Sequence, residues 1–169
     1  PMSEHRTFKY FKEESLQKYA EQYGWTLIDD SNRKDMFMDM IRQMDMSYSY
    51  KPVLMKAIML YADEKGRIKL DDIVAYFKSY YEGRRTAGLS VEKKNSIFAK
   101  GGYTDKEAER NILSNPFKRF EDMQMLRHTK TLGIVQVDEA VWKRLSKEEK
   151  AEIEKICDEK LTQYFSKIK

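Results

Sequence analysis

Eight polar residues in the second half of the chain have the types and spacing to grip a polyanion: Lys106, Arg110, Asn111, Lys118, Arg119, Arg127, His128 and Lys130. Lysine and arginine neutralise phosphates, and arginine and asparagine can also read the edges of guanine and adenine. Lys106 and Arg110 stand four residues apart, so on a helix they share a face. Arg127 and His128 are adjacent, so on an extended strand they point to opposite faces. Asp105, Glu107 and Glu109 are interleaved with the first cations and would repel phosphate. A solvated mixed-charge surface is the competing reading of the same residues.

Two weaker constellations arise. Glu92-Lys93-Lys94 after Val91 has the acidic-x-Lys ending of a metal-dependent nuclease, with Asp71 or Asp72 as the upstream acid. In such sites carboxylates hold the metal and a lysine positions water. A Glu-x-Lys triple is, however, a common accident in a Lys/Glu-rich chain. Tyr48, Tyr50, Tyr76, Tyr80 and Tyr81 could stack on unpaired bases. Most of them recur at helical spacing, which favours packing. No phosphate-cradling glycine loop occurs, and two histidines, His5 and His128, support no catalytic triad. The expectation is a protein without cofactor or catalytic site.

The elements that must position the cations follow from periodicity and punctuation. Residues 3–23 carry apolar side chains near helical spacing, from Ser3 to Gly24. Trp25 to Ile28 is a strand or a packed linker, and Asp29-Asp30-Ser31 signals a helix start. Met36, Phe37, Met40, Ile41 and Met44 then form an apolar stripe, either core or an adaptable partner surface. Pro52 suits the first turn of a helix that continues through Tyr61. Arg67-Ile68-Lys69-Leu70 alternates as a short strand does. Asp71 or Asp72 is expected to cap the next helix, which ends or frays between Gly83 and Gly88. Residues 89–103 read as a loop, with or without a short strand or turn. Thr104 with Glu107 is a capping box. It opens a helix over 104–114 that restarts at Pro116 and reaches toward 122. Met125–Lys130 and Ile134–Val137 form a hairpin with Gly133 near its bend. Ser146 with Glu149 is a second capping box, opening a terminal helix.

Helix, strand, helix, helix, hairpin is the order of a winged helix-turn-helix. The expected fold is mainly α with a small β-hairpin (α+β). Residues 1–46 form an N-terminal helical segment, 47–142 a winged-helix-like domain, and 143–169 a C-terminal helix packed on it, in one compact unit. The helix over 104–114 would enter a major groove, and the hairpin would be the wing.

Bulk properties bound the function classes. The 169 residues carry a net charge of +4, with 41% hydrophobic and 36% charged residues. The pI is about 9.0 and the mean hydropathy −0.78. This balance permits a nucleic-acid partner. No apolar run approaches the ~20 residues that span a bilayer, and no basic-then-apolar leader opens the chain. The single Cys157 excludes an internal disulfide, and a structural zinc site is excluded by the ligand count. The expected location is the cytoplasm, with no membrane partner.

Long blocks of the chain carry a family resemblance. They are Ser47 to Ala57, Gly66-Arg67, Ile73 to Phe77, Tyr81 to Arg85, Val91 to Phe98, and Glu109 to Met123. These blocks resemble the C-terminal accessory region of certain bacterial DEAD/DEAH-box (superfamily 2) helicase proteins. Some of those stand in restriction or phage-defence contexts, and some carry a phospholipase-D-like nuclease module. The likeness covers about residues 25–165. None of the motor's motifs is present, so the family's catalytic residues carry over nowhere. The resemblance implies a non-catalytic module that contacts duplex DNA or docks a partner such as a helicase motor or another defence protein. The alternative class is a protein-interaction module or small regulator with no nucleic-acid binding of its own.

Overall fold

The computed structural model describes residues 32–168. The expected helix over 3–23, the Trp25–Ile28 stretch, the Asp29–Ser31 start signal and His5 lie outside them. The chain divides into two compact units, with the boundary between Arg33 and Lys34. The description below concerns the second unit.

That unit is mainly helical, with one small antiparallel sheet. Its elements are α1 (Arg33–Arg42), α2 (Tyr50–Tyr61), β1 (Arg67–Lys69), α3 (Leu70–Thr86), α4 (Ile97–Lys100), α5 (Asp105–Ser114), α6 (Pro116–Asp122), β2 (Leu126–Thr129), β3 (Ile134–Val137), α7 (Glu139–Arg144) and α8 (Lys147–Lys167). The strands lie in the order β1-β3-β2, with β3 central and both pairs antiparallel.

Local chemistry sets most boundaries. The Thr104–Glu107 and Ser146–Glu149 capping boxes are both closed, so each satisfies two free amides at a helix start. Pro116 opens α6, where its missing amide costs nothing. Two sequence expectations are corrected. Neither Asp71 nor Asp72 caps α3; the cap position is Lys69, and both acids lie in the first turn, where they complement the helix dipole. Helix α3 ends at Thr86, between Gly83 and Gly88 as the pattern expects, with Tyr81 fully buried in its last turns. The 89–103 segment contains a short helix, α4, capped by the Ser96 hydroxyl. Helix α7 is an element the sequence pattern does not announce; the Asp138 carboxylate starts it by accepting from the Val141 amide at 3.2 Å.

The core sits between the helices and one face of the sheet. Phe37 and Ile41 from α1, Val53, Leu54 and Ile58 from α2, and Ile73 and Phe77 from α3 are fully buried. So are Ile153 and Cys157 of α8, which packs along α2. Burial pushes the Cys157 thiol up to about 12, so it behaves as a small apolar side chain. The methionine stripe is divided: Met44 is buried, while Met36 and Met40 are only half covered; Met38, outside the stripe, is buried as well.

Gly66 shows how tightly the sheet closes on α7. It has φ +77°, and a Cβ there would lie 2.7 Å from Cγ of Trp142. Gly66→Ala is therefore expected to cost about 2–4 kcal/mol, from left-handed strain plus overpacking. Gly133, with φ +61° and open space around it, supplies the control: Gly133→Ala costs about 1–2 kcal/mol from strain alone. Urea unfolding of both variants gives the comparison, and equal losses would remove Trp142 from the explanation.

Candidate nucleic-acid interface

Helix α5 presents its cations outward because of where its apolar residues fall. Successive residues turn by about 100°. Ala108 and Ile112 are buried at 0% and 1% exposure, which places Lys106 and Arg110 on the opposite side. Both are exposed, and neither forms an ion pair among the described residues. Two of the acids beside them have partners. The Asp105 carboxylate accepts from Lys78 Nζ at 2.7 Å. The Glu107 carboxylate accepts from the Thr104 amide at 3.0 Å, which holds its pKa below the usual carboxylate range. Only Asp105 is offset by a cation; Glu107 stays ionised, and with Glu109 it keeps negative charge beside Lys106 and Arg110.

Asn111 departs from expectation. It is half-buried, its side chain reaches the Tyr50 hydroxyl, and its Oδ1 is shielded from solvent without a hydrogen-bond partner. One residue past Arg110, it has rotated inward and cannot read a base edge from there.

The hairpin stands beside this helix. Lys69, Glu109, Leu113, His128, Lys130 and Leu132 are among the residues lining a cleft between α5 and the β2–β3 turn. Lys130 and Lys69 are exposed at its edge. His128 is half-buried with its ring edge-on to Phe117, centroids 6.0 Å apart, so it is a packing residue of the strand. Arg127 lies on the other sheet face, opposite Gln136 in register, and donates to Gln136 Oε1 at 3.0 Å. Arg67 pairs with the same Gln136 from β1. Arg67, Gln136 and Arg127 therefore form one row across the outer face. Arg67 and Lys69 stand outside the set of eight drawn from the sequence, although the alternation of β1 puts both on the solvent side.

The two cations of α6 are elsewhere. Lys118 donates to Asp122 at 2.8 Å and lies 3.7 Å from Glu121, so its charge is spent within its own helix. Arg119 lines a separate groove with Met36, Met40, Met44, Met123 and Lys51. Burial first, and the nearby Arg119 charge second, lower the Lys51 pKa. Lys69, His128 and Lys130 thus line the cleft, Lys106 and Arg110 stand on the exposed face of the neighbouring α5, and Asn111, Lys118 and Arg119 lie away from it.

Glu92 has a different role from the one its motif suggests. It is 7% exposed. Its carboxylate accepts from the Ser49 amide and the Lys93 amide, both at 2.8 Å, and closely from the Ser49 and Tyr164 hydroxyls. Ser49 Oγ also meets the Tyr81 hydroxyl at 2.6 Å. The carboxylate thereby joins the start of α2, the end of α3, the 87–96 loop and α8, while Lys94 stays exposed. Among the described residues no cluster of His, Cys, Asp or Glu has the makings of a metal site. Of the tyrosines considered for base stacking, Tyr50 and Tyr81 are buried; Tyr48, Tyr76 and Tyr80 are half-buried.

This joint makes stability sensitive to alkali. Burial pushes the Tyr50 hydroxyl up to about 12 and raises Tyr81 and Tyr164 well above their ordinary value, with the Glu92 charge adding to each. Below pH about 10 the tyrosines are protonated in both folded and unfolded chains. Above it the unfolded chain releases these protons and the folded chain retains them, so stability falls as pH rises. Melting temperature should be level from pH 7 to about 9.5 and drop steeply beyond; Tyr164→Phe should flatten part of the drop.

No family model, curated protein or solved structure matches this chain. No described helix is long and apolar enough to cross a membrane.

Proposed function

We propose that this chain is a non-catalytic accessory module that binds duplex DNA, of the winged helix-turn-helix kind, within a bacterial helicase or phage-defence system in the cytoplasm. The order α2, β1, α3, α5–α6, β2, β3, with sheet order β1-β3-β2, supports the winged-helix reading. On that reading the segment carrying α4 is an insertion ahead of the recognition helix. The observation that carries the function is the outward face of α5. Lys106 and Arg110 form no ion pair there among the described residues, and the neighbouring Asp105 is offset by Lys78. Lys130 and Lys69 flank the adjoining cleft.

Glu109 and Asp71 also line the cleft, so phosphates would track its cationic rim, with α5 toward the major groove and the hairpin on the backbone beside it. Arg110 is the side chain placed to read a base edge. The resemblance of Ser47–Ala57 and Glu109–Met123 to helicase accessory regions supplies the setting. Fluorescence anisotropy with a labelled duplex tests the binding; saturable binding at low salt is expected.

A second reading is favoured by the methionine-lined groove between α1 and α6, with Arg119 and Lys51 at its rim. Such a surface can accept a partner protein, for instance a helicase motor. A stoichiometric complex that survives nuclease and high salt, in a protein that ignores DNA, would replace the first reading with this one.

A further inference from the structure

The hairpin tip carries a feature that phosphate binding does not use. Leu132 is 70% exposed, more than any other large hydrophobic residue described. It sits in a tight turn: its amide donates to Thr129 O at 3.2 Å, and the Gly133 amide donates to Lys130 O at 3.3 Å. The turn is tied to the body as well, because the Leu70 amide at the start of α3 donates to Gly133 O at 2.8 Å. Leu132 is thus an apolar side chain held out on an anchored tip, with the exposed Lys130 two residues away. Within the cleft its apolar companions are Leu70, Leu113 and Ile134.

The interior of a continuous duplex offers such a side chain little to bury against, since its base-pair faces are stacked. A junction between duplex and single strand exposes one face without any cost of unstacking, and its unpaired arms hold the tip beside that face. Leucine is among the wedge residues that proteins set against base steps. Resting on the duplex-binding reading above, we infer that Leu132 is a wedge that packs on the terminal base pair of a duplex–single-strand junction, with Lys130 on the adjacent phosphate, so that forked DNA is the preferred ligand.

The test compares a duplex closed at both ends by hairpin loops, which exposes no terminal base pair, with the same duplex opened at one end into two unpaired arms, by anisotropy, for the wild-type chain and for Leu132→Ala. The expected result is about tenfold tighter binding of the fork by the wild type, the scale of burying one leucine. Leu132→Ala should bring that preference to within about twofold while keeping its affinity for the closed duplex. A 2-aminopurine in the junction-closing pair should change its fluorescence with the wild type and not with the variant. Equal affinity of the wild type for fork and closed duplex, or a preference that survives Leu132→Ala, would overturn the wedge and leave duplex binding standing. Failure to bind either DNA would overturn duplex binding and the wedge together. Because Leu132 is exposed, the variant's melting temperature should match the wild type's, which separates a missing wedge from a damaged fold.

Discussion

The Arg110→Glu, Lys130→Glu double variant is expected to bind duplex about a hundredfold or more weakly at low salt, while its melting temperature stays within about 2 °C of the wild type. Both side chains are exposed and form no ion pair among the described residues, so their removal takes nothing from the fold. Each reversal removes one phosphate partner and adds a repulsion. The log–log salt slope should shrink by about one unit for each phosphate left without its cation. Lys118→Ala is the matched control. Lys118 is already held by Asp122 and Glu121, so replacing it should change affinity by no more than about twofold. If the control weakens binding as much as the double variant, the interface lies on α6 and not around the α5–hairpin cleft.

The second large effect is on stability. Glu92→Ala should destabilise the chain by about 3–5 kcal/mol, because it strands the Ser49 amide and the Ser49 and Tyr164 hydroxyls in a buried setting. For a chain of this size that corresponds to a fall in melting temperature of roughly 10–15 °C. Glu92→Gln keeps the shape and part of the hydrogen bonding, and should cost about half as much. Chemical denaturation of the two variants measures both. A Glu92→Ala chain as stable as the wild type would mean that the four-way joint contributes nothing. The same pair of variants bears on the nuclease idea: a carboxylate engaged by four donors has little left to offer a metal, so any DNA-cleaving activity should not depend on Glu92.

What is legible in the sequence is local. The two capping boxes, Pro116 and the hairpin spacing each depend on residues within a few positions of one another, and each stands where the pattern puts it. The largest failure turns on partners distant in the chain, and the smaller ones on which way a helix or its neighbours turn a side chain. Glu92 finds Ser49 and Tyr164, 43 and 72 residues away, and no motif announces that meeting. The end of α3, by contrast, falls at Thr86, between Gly83 and Gly88, as the pattern puts it. Asn111 and Arg110 are chemically similar candidates, yet one step of helical rotation sends the first into the protein and the second into solvent. Arg67 and Lys69 are visible as the outer residues of an alternating strand; what the sequence withholds is that β1 pairs with β3, which sets Arg67 in a row with Arg127. Lys118 and Arg119 have the right type, and their neighbours decide otherwise.

The most direct measurement is the salt dependence of duplex binding by the wild-type chain, followed by anisotropy across a series of salt concentrations. Phosphate contacts from Lys69, Lys106, Arg110 and Lys130 predict log Kd rising with log salt at a slope of about 3–4, at roughly 0.9 per phosphate neutralised. A slope near zero, or no binding at low salt, would contradict the interface and leave the α1–α6 groove as the surface to pursue.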